Sequence, residues 1–255
     1  MSMTQKSVPT TSISHYEPDK IFVRGANLVD DLIGQLSFTE MILFHLNGKK
    51  PSKLQTTVLD AVLVTTMEHG FTPSAISTRL IYHSAPEALQ AAVAAGVMGA
   101  GSTYLGTMEG CSALLAEIVA APEGMQARAE AIAKRHRESE QFIPGLGHPF
   151  HKPDDPRAPK LIEIAEKAGA EGTYIAALKA LSTAANQVFP KYLTTNATGA
   201  IAAILLEIGI EPAIMRGIAV ISRAAGLVGH IAEEIKKPSG RYIYDMVDSG
   251  IEYRD

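Results

Sequence analysis

Apolar residues recur at helical spacing along most of this 255-residue chain. Residues 54–67 show the pattern most fully, and the positions that repeat every three or four residues are Leu54, Val58, Leu59, Val62, Leu63 and Thr66. Pro51 and Ser52 precede this segment and are residues typical of a helix start. No segment shows sustained alternation of apolar and polar residues with hairpin signals. The pattern therefore predicts an all-α protein of about ten helices.

Further helices are predicted wherever the same spacing recurs. They cover residues 85–95, 128–140, 158–168, 174–187, 199–208 and 211–234. Pro86 and Pro212 stand near the starts of two of them, where the missing N–H of proline is tolerated. Residues 1–20 are largely polar and are expected to form a flexible N-terminal arm.

Two segments between helices are typical of functional loops. Residues 99–106 are rich in glycine and hydroxyl groups, and residues 142–157 contain four prolines, two glycines and two histidines. Each proline ring fixes φ and lowers the entropy of the unfolded chain, so the second loop is expected to be ordered. Ordered loops often position catalytic or binding groups.

Composition narrows the function classes. The chain has 15 aromatic residues and no tryptophan, so its core must consist mainly of Ala, Leu, Ile, Val and Met. A formal net charge of -4 argues against a nucleic-acid or anionic-membrane partner. The single cysteine, Cys111, excludes an internal disulfide and is expected to be a buried, inert thiol. Apolar runs look too short for a membrane span, and a cytoplasmic location is expected.

The proline-rich loop contains the residues best suited to chemistry. Gly145 and Gly147 permit close backbone approach to a ligand, His148 can donate a hydrogen bond to an oxygen, and Arg157 can bind a carboxylate through two hydrogen bonds. A glycine turn with a surface histidine and arginine explains these residues equally well. His148 and His151 have a compact spacing, but Asp154 and Asp155 are the only nearby acidic residues that could add a third ligand, and no metal is expected.

Five motifs, in their order along the chain, resemble those of the citrate synthase family. The most specific is 145–158, in which Gly-x-Gly-His is followed by Asp-Pro-Arg at the family's spacing. The others are 37–51 with its Gly-x-x-Pro end, 68–79 with Glu-His and a later Ser-Thr, 196–209 with its Asn-x-x segment, and 223–230 with Arg-x-x-Gly-x-x-x-His. The compact length is most similar to citryl-CoA lyases and to the lyase module of ATP-citrate lyase.

The resemblance implies a fold and a reaction class. The fold would be an all-α homodimer or higher homo-oligomer, with a large helical domain (21–109 and 200–255) and a small mobile helical domain (110–199). The active site would lie between the two domains. The family forms or breaks a carbon–carbon bond between a 2-oxoacid carbonyl and the α-carbon of an acyl-CoA. Coenzyme A thioester and oxoacid would thus be small-molecule substrates, with no tightly bound cofactor.

The same resemblance implies roles for individual residues. His148 would polarise the oxoacid carbonyl or the matching alkoxide, with His69 as a further donor, and Arg157 and Arg223 would hold carboxylates. The backbone of Gly145, Leu146 and Gly147 would approach the adenine of coenzyme A, and Lys152 would contact a phosphate. These roles match the need of alkoxide charge for preorganised donors.

Two catalytic positions depart from the family pattern. The family's loop histidine is replaced by Tyr104 or Leu105, and the aspartate of its Asn-Val-Asp segment is replaced by Thr198. A threonine hydroxyl is not a general base near neutral pH without an activating group. The carboxylates of Glu68 and Glu109 are available, but each is expected to cap a helix or form a salt bridge.

Three interpretations of these departures stay open. The favoured one is a citryl-CoA lyase-like enzyme that performs a retro-Claisen cleavage with an altered acid/base set, for example with Tyr104 as the acid. The second is a diverged member acting on a different CoA thioester by aldol-type chemistry. The third is a non-catalytic subunit that binds coenzyme A.

Overall fold

The computed structural model describes residues 8–101, 103 and 106–254. Helix accounts for 63% of the chain, which confirms the predicted all-α class. The α-helices of the described part are α1 (Phe38–Asn47), α2 (Lys53–Met67), α3 (Pro73–Ser84), α4 (Leu89–Met98), α5 (Thr107–Val119), α6 (Met125–Glu138), α7 (Arg157–Lys167), α8 (Thr173–Val188), α9 (Ala197–Glu207), α10 (Pro212–Lys236) and α11 (Gly240–Gly250).

A small antiparallel sheet precedes the helices. Its strands are β1 (Ser14–Tyr16), β2 (Ile21–Val23) and β3 (Ala26–Asn27), in the order β1-β2-β3, and a π-helical turn (Leu28–Leu32) follows. Sequence analysis assigned 1–20 to a flexible arm, but the structure pairs Ser14 with Val23 and Tyr16 with Ile21. Strands of two or three residues are too short to produce a detectable alternation, which is why the pattern did not predict them. The division into two domains stays a prediction.

Side-chain hydrogen bonds cap α3 and α9, the two helices that begin next to the candidate active site. Thr72 accepts a hydrogen bond from the Ala75 N–H at the start of α3. Asn196 does the same for the Gly199 N–H at the start of α9. Each cap satisfies a backbone donor that the first turn leaves unpaired. The two caps therefore fix the residues at which α3 and α9 begin.

The core is aliphatic, as composition predicted. Its main cluster consists of Leu, Ile, Val, Ala and Met with Cys111, and it extends from α1 to α10. α9 is buried over almost its whole length and packs against α5, α7 and α8. Small side chains such as Ala200 and Ala203 allow this close approach of helices. The N-terminal end of this central helix is thereby placed at the site.

α10 is the longest helix in the part of the chain that the structure describes. By length and apolar composition it meets the criterion for a membrane span, which the sequence pattern did not predict. Its residues Met215, Ala219 and Leu227 are completely buried, and the helix packs against α2, α3, α4 and α5. These contacts are those of a core helix in a globular protein.

Candidate active site

A cavity of about 590 Å³ lies where the α2–α3 turn, the proline-rich loop and the starts of α5 and α9 meet α10. Most of the predicted site residues line it, and these are His69, Gly145, Leu146, Gly147, His148, Arg157, Thr198 and Arg223. Lys152 is exposed in the same loop and does not line the cavity. Tyr104 and Leu105 lie outside the described residues.

The glycine segment is fixed by its own chain. Gly145 and Gly147 have φ values of 90° and 80°, a region that side chains other than glycine rarely adopt. A Cβ on Gly145 would lie 2.5 Å from the Cys111 sulfur and 2.9 Å from the Gly199 Cα. Asn196 N–H donates to the Gly145 carbonyl at 3.0 Å. The close backbone approach predicted for Gly145 is thus made to α5 and α9. This packing holds His148, three residues later, in place.

His148 is held as a neutral hydrogen-bond donor. Its Nδ1 accepts hydrogen bonds from the backbone N–H groups of Phe150 (3.1 Å) and His151 (3.0 Å). The proton of the neutral ring must then be on Nε2. Burial lowers the pKa of His148, and the nearby charges of His151 and Arg157 lower it further. Nε2 lies 3.3 Å from an Arg157 terminal nitrogen; with its proton on Nε2 the ring cannot accept from that nitrogen, so the contact places two donors side by side.

Arg157 is fixed by a buried carboxylate. Its Nε and one terminal nitrogen donate to the two oxygens of Asp155 at 2.9 and 2.8 Å. Asp155 has no solvent exposure and also accepts the Ala197 N–H at the start of α9. Burial alone would raise the pKa of Asp155, but the hydrogen bonds from Arg157 and Ala197 outweigh it and lower the pKa to about 2. Asp155 is therefore a permanent anion that orients Arg157.

Arg223 is a buried cation without a carboxylate partner among the described residues. It is 5% exposed, its Nε has no hydrogen-bond partner, and one terminal nitrogen lies 3.4 Å from the Thr72 hydroxyl. Burial lowers the pKa of this guanidinium, whereas the charge of Glu68 opposes the shift. An unpaired buried charge is costly, and an anion in the cavity would offset that cost. The cavity is thus prepared for an anionic ligand.

A polar network, exposed at Glu68 and buried at His230 and Arg79, fixes the turn that bears His69. One oxygen of Glu68 accepts the N–H groups of His69 (2.8 Å) and Gly70 (2.6 Å), and the other lies 2.9 Å from His230 Nε2. His230 Nδ1 in turn accepts from Arg79 Nε at 3.0 Å. The expected structural role of Glu68 is confirmed by these contacts. The turn is therefore connected to α3 and α10.

Thr198 is hydrogen-bonded on both sides. Its hydroxyl donates to Asn196 Oδ1 at 2.7 Å and accepts from the Thr107 hydroxyl at 2.9 Å. The Asn196 amide group donates to the Gly147 carbonyl at 2.7 Å. No described carboxylate or imidazole lies in this chain of contacts to activate the hydroxyl. The contacts give Thr198 a role in ordering the loop.

His151 is the site residue that the family motifs did not indicate. Its Nε2 lies 3.3 Å from His69 Nε2, and its ring centroid lies 4.3 Å from that of His148. The only sequence signal was the three-residue spacing from His148. One ligand nitrogen from each of the three histidines lies within 4.8 Å of the others, which resembles a cation site. However, His148 uses its Nδ1 lone pair for backbone N–H groups, and Arg157 lies beside its Nε2, so both features oppose a metal there.

Cys111 is completely buried, and burial raises the pKa of its thiol to about 12. Because the thiolate is the reactive form, this thiol is inert near neutral pH. The prediction of a structural cysteine is confirmed.

Comparison with known proteins agrees with this arrangement. Residues 8–244 match the model of the citrate synthase C-terminal domain. The chain belongs to the citrate synthase family. Within the family it is 25% identical to citrate synthase 2 of Bacillus subtilis and 27% identical to 2-methylcitrate synthase of Shewanella oneidensis, over 76% and 84% of this chain. The chain spans about half the length of these two synthases, 51% and 56%.

Solved structures of this family include compact members of similar size. Citryl-CoA lyase from Hydrogenobacter thermophilus superimposes with a TM-score of 0.82 at 32% identity, covering 91% of this chain and 88% of that one. ATP citrate lyase of Methanosaeta concilii, in complex with (3S)-citryl-CoA, has a TM-score of 0.79 at 16% identity and covers 99% of this chain and 42% of that one. The second likeness concerns the fold alone. Both confirm the expected citrate-synthase-like fold, and the roles of individual residues stay predictions.

Proposed function

We propose that this family member is a carbon–carbon bond lyase that cleaves citryl-CoA, or a related hydroxyacyl-CoA, into an acyl-CoA and a 2-oxoacid. The observation that carries the proposal is the buried guanidinium of Arg223, which has no carboxylate partner among the described residues and lies in the same cavity as Arg157 and His148. Two fixed cations and a hydrogen-bond donor suit a polycarboxylate with an oxygen that gains negative charge. The similarity to citryl-CoA lyase over most of both chains supports the same substrate class.

The residues supply positioning and charge stabilisation in a retro-Claisen cleavage. The substrate hydroxyl loses its proton, the electron pair of the carbon–carbon bond moves to the α-carbon of the thioester, and the former hydroxyl carbon becomes the carbonyl of the oxoacid. His148 Nε2–H donates to the oxygen as it becomes negative. Arg223 and Arg157 hold carboxylates, so the reacting bond is oriented at low entropic cost.

Coenzyme A enters the proposal as part of the substrate, with no tightly bound cofactor. The segment from Gly145 to Gly147 would contact the adenine, and the exposed Lys152 would contact a phosphate. These contacts follow from the family resemblance. A cytoplasmic location is part of the proposal.

A second candidate function has one specific observation in its favour. Thr198 has no described activating group and is used in loop hydrogen bonds, so this position supplies no base for citrate-type chemistry. That favours either aldol-type chemistry on another CoA thioester or a non-catalytic subunit that binds coenzyme A.

Turnover assays separate these functions. We expect purified protein incubated with citryl-CoA to release acetyl-CoA and oxaloacetate, measured by chromatography of CoA species and by coupled reduction of oxaloacetate. Arg223→Met should lower kcat/KM by about 100-fold, the value of a lost charge-assisted contact of about 2–3 kcal/mol. Arg241→Met, on the exposed face of α11, is the matched control. Micromolar binding of coenzyme A without turnover would favour the binding subunit.

A homodimer is the proposed assembly, with α10 in its interface. Ile214, Ile221, Val228 and Ile235 recur every seven residues along α10 and are 38–61% exposed, so they form one apolar stripe. A second copy of the chain would bury this stripe. We expect light scattering to give the mass of a dimer, and the double variant Ile221→Glu/Val228→Glu to give a monomer. An unchanged mass for that variant would place the interface elsewhere.

A further inference from the structure

The proposed cleavage needs a group that accepts the hydroxyl proton, and the carboxylates near the cavity are unsuited to this task. Asp155 is bound by Arg157 and has a pKa of about 2. Glu68 accepts two backbone N–H groups and faces His230. Glu109 is paired with Arg216. The hydrogen bonds of Asp155 and Glu68 lower the pKa of each carboxyl, so their affinity for a further proton is low, and Glu109 does not line the cavity.

His148 is also unsuited to accepting that proton. Its Nδ1 lone pair is used by the N–H groups of Phe150 and His151, so its Nε2 already bears the proton of the neutral ring. The cationic form is disfavoured by burial and by Arg157, 3.3 Å away. His148 can therefore donate to an alkoxide but does not compete as the base.

Of the described imidazoles that line the cavity, His69 remains, and His151 contacts it from outside that lining. His69 is exposed and lines the cavity, and its Nε2 lies 3.3 Å from Nε2 of the half-buried His151. Two ring nitrogens that face each other at this distance share one proton. With two protons the N–H groups would repel each other, and with no proton the two lone pairs would face each other. His69 then keeps Nδ1 for the cavity. Imidazole also titrates close to neutral pH, as a general base should.

We propose that His69 and His151 form a proton-sharing pair that accepts the hydroxyl proton in the cleavage, with His69 as the catalytic residue and His151 as its positioning partner. The inference rests on the proposed function. It supplies a base for the hydroxyl proton, whereas the family's aspartate, replaced here by Thr198, moves the proton of the thioester α-carbon.

The step balances without a further reactant. The hydroxyl proton moves to the His69 ring, the carbon–carbon electron pair moves to the thioester α-carbon, and the carbonyl forms. The α-carbon then takes one proton from water and the pair returns its proton to water, so the overall cleavage neither consumes nor releases a proton. The His151 ring shares the charge that His69 gains, while His148 remains the donor to oxygen.

The charges around the pair set its response to pH. The proline-rich loop contributes His148, Lys152 and the Arg157–Asp155 ion pair, and the α2–α3 turn contributes Glu68. α10 contributes Arg223 and His230 to the same side of the cavity. The pair accepts a proton only when it does not already carry an extra one. We therefore expect kcat to rise with pH through the range in which the pair loses that proton.

The test uses His151→Gln, whose amide oxygen can still accept a hydrogen bond from His69 Nε2–H but cannot take up its proton. We expect kcat for citryl-CoA to fall about 100-fold with KM changed less than threefold, the size typical of lost acid–base catalysis. The acidic limb of the kcat–pH profile should shift in this variant. His69→Gln should be as slow as the double variant, because the two residues act as one unit. His45→Gln, an exposed histidine on α1, is the control.

Two outcomes would overturn the pair. One is that the wild type cleaves citryl-CoA and His151→Gln has the same kcat and the same kcat–pH profile. The other is activity removed by EDTA and restored by Zn²⁺, which would make the three histidines a metal site.

Failure of the proposed function is a separate result. If no hydroxyacyl-CoA is cleaved, NMR titration of the imidazole nitrogens in the substrate-free protein still tests the pair. Coupled titration of His69 and His151, lost in His151→Gln, would support the pair in a protein with another activity. A His69 titration that is the same with and without His151 would disprove it.

Discussion

Replacing His148 with asparagine should lower kcat for citryl-CoA cleavage by about 10²–10³-fold while leaving the fold and KM almost unchanged, which is the cost of one preorganised donor to a developing oxyanion. Asparagine is chosen because its Oδ1 can take the place of Nδ1, which accepts the N–H groups of Phe150 and His151. The loop is thus preserved, and only the Nε2–H donor is lost. Steady-state kinetics at saturating substrate measures the effect.

Controls separate this effect from a disturbed loop. His148→Ala removes both the donor and the loop acceptor, so it should lower the rate at least as much and also reduce thermal stability. His45→Asn, on the exposed side of α1, should retain the wild-type rate. A His148→Asn enzyme with more than a fifth of the wild-type kcat would show that this imidazole does not face the reacting oxygen.

The sequence predicted those parts of the fold that have a strong, long-range apolar repeat. The predicted helix 54–67 is α2, and 211–234 is α10, because each has enough turns for the pattern to accumulate. α3 and α11 were not predicted from periodicity. α3 begins with a Thr-Pro cap and buries the charged Arg79, so its inward face looks polar in the sequence. Contacts with distant segments decide such helices.

The site was predictable as far as single motifs extend. His69, His148, Arg157 and Arg223 were indicated by family motifs, and the structure brings them to one cavity. The contact between His69 and His151 was not predictable, because it joins residues 82 positions apart through the folding of two loops. Motif spacing gives a residue's type and order, whereas pairing across the chain depends on packing.

Arg79→Met should lower the free energy of unfolding by about 3–5 kcal/mol, the cost of removing one partner of a buried ion pair. Arg79 is 1% exposed, donates to Glu234 at 2.7 Å and to His230 at 3.0 Å, and also pairs with Glu233. Methionine fills similar volume but leaves the 4%-exposed Glu234 without its cation. Urea unfolding followed by circular dichroism measures the change.

The contribution of this ion pair to the free energy of unfolding depends on pH. Burial alone would raise the pKa of Glu234, but hydrogen bonds from Ser239, Gly240 and Arg79 outweigh it and lower the pKa to about 2. A carboxylate with a lowered pKa stabilises the fold above its unfolded pKa near 4.5 and loses that effect as pH falls towards 2. The difference in stability between wild type and Arg79→Met should therefore be full at pH 6 and shrink below pH 4.5.

Arg241→Met is the matched surface control, because Arg241 pairs with Asp245 one turn away on α11 with 70% of its side chain exposed. Exposed pairs of this kind contribute about 0.3–0.5 kcal/mol, so this variant should unfold close to the wild type. If Arg79→Met also unfolded within 1 kcal/mol of the wild type, the buried network would not hold α3, α10 and α11 together. The turn bearing His69 would then need another support, since Glu68 is linked to the side chains of α3 through His230 and Arg79.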